Sequence, residues 1–221
     1  ETRSVREENV INYEAGLKGS VAAGRVQWNA SAFRYDYAHF QTNVLSLGRF
    51  TVVDAGNATG RGFELGVQGR VAERVSLFAN YANTKATFDQ TSDTGERQQY
   101  GGYTFRLTPR QAYSIGGTVT VPLTNAGELF ATPIWQYRST HYFEDDNSSF
   151  NYTLRQEGFG TANLRAGWRS PKGRWEVGGY ASNLFDKEHL IDAGNTGGSF
   201  GIPTFVAGEP RRMGVQAAFH W

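Results

Sequence analysis

Ile11-Asn12-Tyr13-Glu14-Ala15-Gly16-Leu17-Lys18-Gly19-Ser20-Val21 is the stretch on which the reading of the fold turns. Its odd positions, Ile11, Tyr13, Ala15, Leu17, Gly19 and Val21, are apolar or small, whereas its even positions, Asn12, Glu14, Gly16, Lys18 and Ser20, are polar or glycine. Side chains of an extended chain alternate between two faces. The segment therefore reads as a β-strand with one apolar and one polar side.

The same period of two returns along the chain. Phe63, Leu65, Val67, Gly69 and Val71 alternate with Glu64, Gly66, Gln68 and Arg70, and Val75, Leu77, Ala79 and Tyr81 alternate with Ser76, Phe78, Asn80 and Ala82. Further runs begin at Tyr113, Ala162, Trp175 and Met213. Two runs are less regular. Val26, Trp28, Ala30 and Ala32 hand over to Phe33, Tyr35 and Tyr37, a slip of parity that predicts a β-bulge, and the run from Leu129 to Tyr137 is apolar on both faces and contains Pro133. No window shows a comparable 3.6-residue period, so the chain is predicted to be all-β, with about nine long strands and no helix.

Connections between these strands alternate in length. Short ones start at Ala22, Val71, Pro122 and Ser170, at intervals of roughly fifty residues, and long Gly-rich ones fall at residues 41–60, 88–110, 138–156 and 186–208. Tight turns at one end and long loops at the other predict an antiparallel transmembrane β-barrel wall with periplasmic turns and extracellular loops. Strand length agrees, since about 9 to 11 tilted residues cross a bilayer, whereas strands of soluble proteins average about 5 to 6. A soluble β-sandwich is the competing reading. Glycines beside charges on the polar face (Gly16, Gly66, Gly116, Gly167, Gly178) favour a wet, plugged or crowded lumen over a solvated sandwich face. Tyr13, Trp28, Trp168, Trp175 and Trp221, outward and near strand ends, suit an interfacial girdle.

Composition narrows the function classes. The 221 residues carry 22 Lys+Arg against 21 Asp+Glu, a net charge of +1, so the electrostatic footprint of a nucleic-acid binder is missing. No Cys is present, which removes thiol chemistry and Cys-based metal sites. No apolar run is long enough for a transmembrane helix. The chain starts at Glu1 without an initiating Met or a leader and reads as a processed product or excised fragment. Nine strands ending at Trp221 on the short-turn side put Glu1 on the long-loop side, whereas complete bacterial barrels have an even strand number. Residues 1–221 are therefore expected to be the C-terminal portion of a larger barrel, and residues 50–53 are where a missed strand would lie.

The C-terminal third resembles the TonB-dependent receptors, the outer-membrane transporters of Gram-negative bacteria for siderophores and other scarce ligands. The resemblance is carried by Ala181-Ser182-Asn183-Leu184-Phe185-Asp186-Lys187 and by Gly208-Glu209-Pro210-Arg211-Arg212 leading into Met213 to Trp221. Upstream, Asn12-Tyr13-Glu14-Ala15-Gly16-Leu17-Lys18, Ala32-Phe33 to Tyr37, and Ala55-Gly56-Asn57-Ala58 to Gly62-Phe63-Glu64 follow in the family's order. The resemblance implies a barrel of about 22 strands with a plugged lumen, whose plug, TonB box and N-terminal strands are not in this sequence. It implies active transport of an iron-siderophore or similar ligand, with the TonB complex acting through that plug, and residence in the bacterial outer membrane. The alternating terminal residues Met213, Val215, Ala217, Phe219 and Trp221 are similar to the family's signal for the barrel assembly machinery, with Trp221 where Phe is usual. A small self-standing barrel acting as a passive pore or adhesin is the alternative function.

Catalysis has no support. His39, His141, His189 and His220 lack metalloprotease spacing, and no nucleophile elbow or phosphate-binding loop is present. No cofactor is implied. The run Gly194, Gly197, Gly198 and Gly201 reads as a flexible loop, and Glu144-Asp145-Asp146-Asn147 as a solvated loop tip in preference to a Ca²⁺ site. Arg70, Arg165 and Arg169 on the polar face are expected to form lumen ion pairs with Glu14, Glu64 and Glu176 or with a plug. Ligand capture falls to loop residues that combine charge with aromatic surface: Arg97, Tyr100, Tyr103, Tyr142 and Phe143.

Overall fold

The computed structural model describes residues 5–46, 49–147, 154–197 and 202–221. Nine strands form one antiparallel sheet in chain order: β1 (Asn9–Val21), β2 (Val26–Ala38), β5 (Ala58–Ala72), β6 (Val75–Phe88), β7 (Gln111–Leu123), β8 (Gly127–Arg138), β11 (Phe159–Arg169), β12 (Trp175–Ser182) and β15 (Arg212–Phe219). The remaining strands are short pairs within long loops: β3 (Gln41–Ser46) with β4 (Arg49–Asp54), β9 (His141–Tyr142) with β10 (Arg155–Gln156), and β13 (Leu190–Gly197) with β14 (Ile202–Ala207). No helix occurs among the described residues. β1 and β15 each pair on one side only, so the sheet is an open wall. The hairpin of β3 and β4 includes the residues 50–53 singled out above, and it stands outside the wall.

Where the apolar residues lie defines the solvent. Leu17 is 72% exposed, Ile115 54% and Val215 90%, while the few buried apolar side chains, such as Phe88 and Phe143, sit mostly in the long loops. A soluble sheet with this face bare to water would be an aggregation surface. Against hydrocarbon the same face is matched to its surroundings, and the seven inner strands pair their backbones on both sides.

β2 carries no bulge, contrary to the parity expectation. Its register with β1 runs unbroken from Asn9↔Ala38 to Val21↔Val26, and that with β5 from Val26↔Gly69 to Tyr37↔Ala58. The parity slip instead marks where apolar surface changes sides, because Phe33, Tyr35 and Tyr37 turn inward at the loop end with tilted rings whose centres lie 5.2 and 6.5 Å apart in sequence. The wall ladder shifts register between Arg70 and Ala72 in β5. Pro133 of β8 interrupts the pairing between Gly116↔Ile134 and Val119↔Ala131, and a Thr118–Thr132 hydroxyl bond of 2.9 Å bridges the gap.

Several glycines exist to seat aromatic rings. A Cβ on Gly167 would fall 2.9 Å from the Phe130 ring and 2.5 Å from the Val177 carbonyl, and one on Gly116 would fall 2.8 Å from Phe78. On the outward face Trp28 lies over Gly19 in the same way. The inner glycines are thus flat beds for neighbouring side chains, the crowded one of the three lumens expected.

Candidate functional site

The long loops gather at one end of the wall, above its polar face, and form two apolar clusters. In the first, Ala55, Ala58, Phe88 and Tyr100 are buried, with Tyr37, Phe40, Tyr103 and Phe105 packed around them. Phe105 lies 4.6 Å from Phe40 and 4.9 Å from Phe88, ring centre to ring centre. Such aromatic pairs add about 0.5–1.5 kcal/mol each beyond their burial. In the second, Phe143, Leu154 and Ala193 are buried beside Leu190.

Hydrogen bonds join the loops to one another. Asp145, 6% exposed, accepts from Thr42 Oγ1 at 2.7 Å and from the Arg106 N–H at 2.9 Å, tying the β2–β5 and β6–β7 loops to its own β8–β11 loop. Asn147 Oδ1 accepts from the Thr104 N–H at 2.7 Å, and the Leu107 N–H donates to the Tyr142 carbonyl at 2.7 Å. Gln156 Oε1 accepts from the Leu190 N–H at 2.6 Å, bringing in the β12–β15 loop. Gln98 acts as a substitute strand: its carbonyl accepts from the Asn57 N–H at 2.5 Å and its NH₂ donates to the carbonyls of Asn57 and Asp89. Gly56 makes room for it at φ +95°, where a Cβ would sit 2.0 Å from Gln98 Oε1.

Asp145 of the acidic run is therefore a buried junction, and for it the solvated-tip reading gives way. The Asp145 and Asn147 side-chain oxygens accept from neighbouring loops, and the described residues contain no group of three His, Asp or Glu that could hold a metal ion. Gly194 and Gly197 belong to the β13–β14 hairpin and not to a formless loop, because β13 pairs in register through Ala193↔Phe205 and Gly194↔Thr204. Gly198 and Gly201 lie outside the described residues.

The five candidate ligand residues share this canopy but differ in access. Arg97 is exposed on a small hairpin closed by the Thr91↔Arg97 bridge. Tyr103 and Tyr142 are half-buried. Tyr100, 6% exposed, and Phe143, 0% exposed, are packing residues that hold the canopy together. Burial pushes the Tyr100 phenol above its ordinary range, with Asp146, Asp145 and Glu144 acting in the same direction. Sequence reasoning missed Phe88, Phe105 and Gln98, and it took Asp145 for a loop tip. Phe88 had a signal, since it continues the inward parity of Phe78 on β6.

Lower on the inner face, Arg165 and Arg169 converge on Glu176, with Arg169 NH2 at 2.9 Å and Arg169 NH1 reaching Glu128 at 2.6 Å. Both guanidinium groups stack on Phe130, at 5.3 and 5.4 Å from its ring centre. Among the described residues Arg70, Glu14 and Glu64 form no ion pair.

The Asn183 to Lys187 segment is a knot at the top of β12. Asn183 Nδ2 donates to the Lys187 and Glu209 carbonyls at 3.0 and 3.1 Å, its Oδ1 accepts from the Lys187 N–H at 2.9 Å, and Asp186 accepts from the Arg211 N–H at 2.7 Å. Those bonds fix the start of β15. Residues 4–184 match the family described as TonB dependent receptor-like, β-barrel.

The chain belongs to this TonB-dependent receptor β-barrel family.

Members are outer-membrane receptors and transporters, which gives this wall its membrane and its orientation, long loops outward. It is 29% identical over 216 residues to the ferric-pyoverdine M114 receptor PbuA of Pseudomonas sp. strain M114, covering 94% of this chain and 24% of that protein. Its fold is similar to that of the ferric yersiniabactin uptake receptor FyuA from Yersinia pestis, with a TM-score of 0.79 and 24% identity over 96% of this chain and 30% of that one. The ferripyoverdine receptor of Pseudomonas aeruginosa gives a TM-score of 0.67 at 14% identity, covering 98% and 28%. The TonB-dependent receptor wall described here thus spans about a quarter to three tenths of the length of these relatives.

Proposed function

We propose that residues 1–221 form the C-terminal wall of an outer-membrane receptor that takes up a ferric siderophore or a similar scarce chelate, driven by the TonB complex through a plug encoded elsewhere in the protein. The observation that carries this reading is the canopy: four outer loops bonded into one body above a polar face, on a wall of the family to which PbuA, a ferric-pyoverdine receptor, also belongs. In this mechanism the chelate meets the canopy first. Arg97 offers a guanidinium fork to anionic chelate oxygens, and Tyr103 and Tyr142 offer flat surface with a polar handle. Tyr100 and Phe143 serve the same site from beneath by holding those surfaces in position. Arg165, Arg169, Glu128 and Glu176 brace the wall below.

The terminal strand serves assembly. Met213, Val215, Phe219 and Trp221 are exposed along one face, with the Phe219 ring tilted against Trp175 at 4.8 Å, and this row with Ala217 is the surface offered to the barrel assembly machinery.

Uptake of radiolabelled iron by cells expressing the full-length receptor tests the proposal. Ferric siderophores supplied singly should identify one whose uptake needs both the receptor and TonB, and alanine at Arg97, Tyr103 and Tyr142 together should depress it about tenfold or more. Uptake independent of TonB would overturn the active-transport reading in favour of a passive pore. Unchanged uptake in the triple variant would remove the ligand assignment alone.

A further inference from the structure

Alternation leaves one property of the last strand undetermined. β12 and β15 pair without a break from Trp175↔Phe219 to Ser182↔Arg212, yet residues 183–211 join them in place of a tight turn, so no turn geometry sets their register. A slip of one residue would turn Met213, Val215 and Phe219 into the lumen, and the face pattern excludes it. A slip of two keeps Met213, Val215, Ala217 and Phe219 all on the hydrocarbon side, where one apolar side chain serves about as well as another. The choice among even slips therefore falls to contacts outside the ladder.

Asn183 and Asp186 supply them. Both have left-handed backbone, at φ +48° and +53°, which Asn and Asp tolerate because their short polar side chains bond locally, and the Asp186 N–H donates to the Asn183 carbonyl at 2.8 Å. This tight fold carries both side chains across to the approach of β15, where Asn183 Nδ2 holds the Glu209 carbonyl and Asp186 Oδ1 holds the Arg211 N–H. Pro210, between those two positions, has no N–H to offer Asp186 in exchange. The knot is itself anchored to β11, since the Asn183 N–H donates to Asn163 Oδ1 at 3.0 Å and the Leu184 N–H to the Ala162 carbonyl at 2.7 Å.

Two further contacts agree with this register. The Gly208 N–H donates to the His189 carbonyl at 2.8 Å, and the His189 ring stacks on Phe159 at 4.5 Å with Gly208 against it, which closes off the β13–β14 hairpin from the strands below. On the inner face Tyr180 lies over Gly214, where a Cβ would fall 2.7 Å from the ring. A slip of two would set Arg212 or Gln216 in place of that glycine.

We propose that Asn183 and Asp186 are the register gauge of the terminal strand: they select, among the even slips that alternation permits, the one in which β15 docks on β12 during assembly. The inference rests on the barrel fold and not on the transport reading, so either can fail alone.

The test uses the full-length receptor, otherwise free of cysteine, with cysteine pairs on the outward face. Gly179→Cys with Val215→Cys reports the native register, and Gly179→Cys with Met213→Cys or Ala217→Cys reports a slip of two. Directly opposed residues have Cα atoms about 5 Å apart, within disulfide reach, whereas diagonal neighbours at about 7–8 Å lie beyond it. With Asn183 and Asp186 present, only the first pair should cross-link in the assembled barrel. Asn183→Ala with Asp186→Ala should raise the slipped cross-links at least about tenfold, and Asp186→Asn, which keeps the acceptor, should not. Where the Ala pair lowers assembly, the native-register cysteine pair, oxidised in the periplasm, should restore the yield. An exclusively native cross-link in assembled Ala-pair receptor, equal slipped cross-links in the unsubstituted receptor, or a yield that the native-register disulfide leaves unrestored would each overturn the proposal.

Discussion

Thr42 Oγ1 donates to the Asp145 carboxylate at 2.7 Å, joining positions 103 residues apart and closing the first outer loop against the third. The same carboxylate holds the Arg106 N–H, so one buried side chain serves three loops.

Replacing Asp145 with Ala leaves that N–H without its partner. The expected cost is about 1–3 kcal/mol of canopy stability. Hydrogen exchange at Arg106 and proteolysis within residues 41–54 should accelerate, while the thermal transition of the barrel stays in place. Unchanged exchange would mean that the loops are held mainly by the aromatic clusters.

Glu176→Gln removes the charge on which Arg165 and Arg169 converge. Both arginine side chains are substantially exposed, which screens the interaction, so a loss of about 1 kcal/mol is expected. Urea unfolding of the receptor in detergent reads it. Adding Glu128→Gln should lower stability further, since Arg169 then loses both carboxylates.

Gly167→Val sets a branched side chain against the Phe130 ring and the Val177 carbonyl. Overpacking of this kind costs about 1–3 kcal/mol or more. The yield of heat-modifiable barrel in the outer membrane should fall, and Phe130→Ala combined with Gly167→Ala should recover part of it. Normal yield of the Val variant would show that the ring is free to move aside.

Tyr100 gives the canopy a pH dependence of definite sign. Its phenol titrates above the ordinary value of about 10, so the folded state holds the proton more tightly than the unfolded one. Stability from this group is complete below pH about 10 and declines as pH rises through the raised value. Tyrosinate absorbance of wild type minus Tyr100→Phe should therefore titrate above 10. A difference curve centred at or below 10 would contradict the burial described for this ring.

The wall was legible because period two is a local property written into every strand, and nine repetitions of it left little freedom. Face, however, is all that alternation conveys. Phe33 looked like a slip in β2 because the sequence does not say that the loop end of the lumen is itself apolar, filled by Phe40, Phe88 and Phe105. Gly116 and Gly167 left water, a plug and crowding open because their aromatic partners, Phe78 and Phe130, sit on neighbouring strands. Asp145 looked like a loop tip because its partners are remote in sequence. Arg97 is exposed on its loop, whereas Phe143 is an aromatic whose burial depends on contacts with Leu154, Ala193 and Leu190 that no local pattern records.

The order of strands in the wall has a kinetic corollary. Each of the nine pairs with the wall strands nearest to it in the chain, so the sheet can grow one hairpin at a time, every new strand docking on an edge already present. Contact order, the quantity that slows folding of most β-proteins, is therefore low between neighbours joined by the four tight turns. The long-range closures, Thr42 with Asp145 above all, lie outside the sheet and can lock after insertion, so that sealing the canopy places no delay on crossing the bilayer.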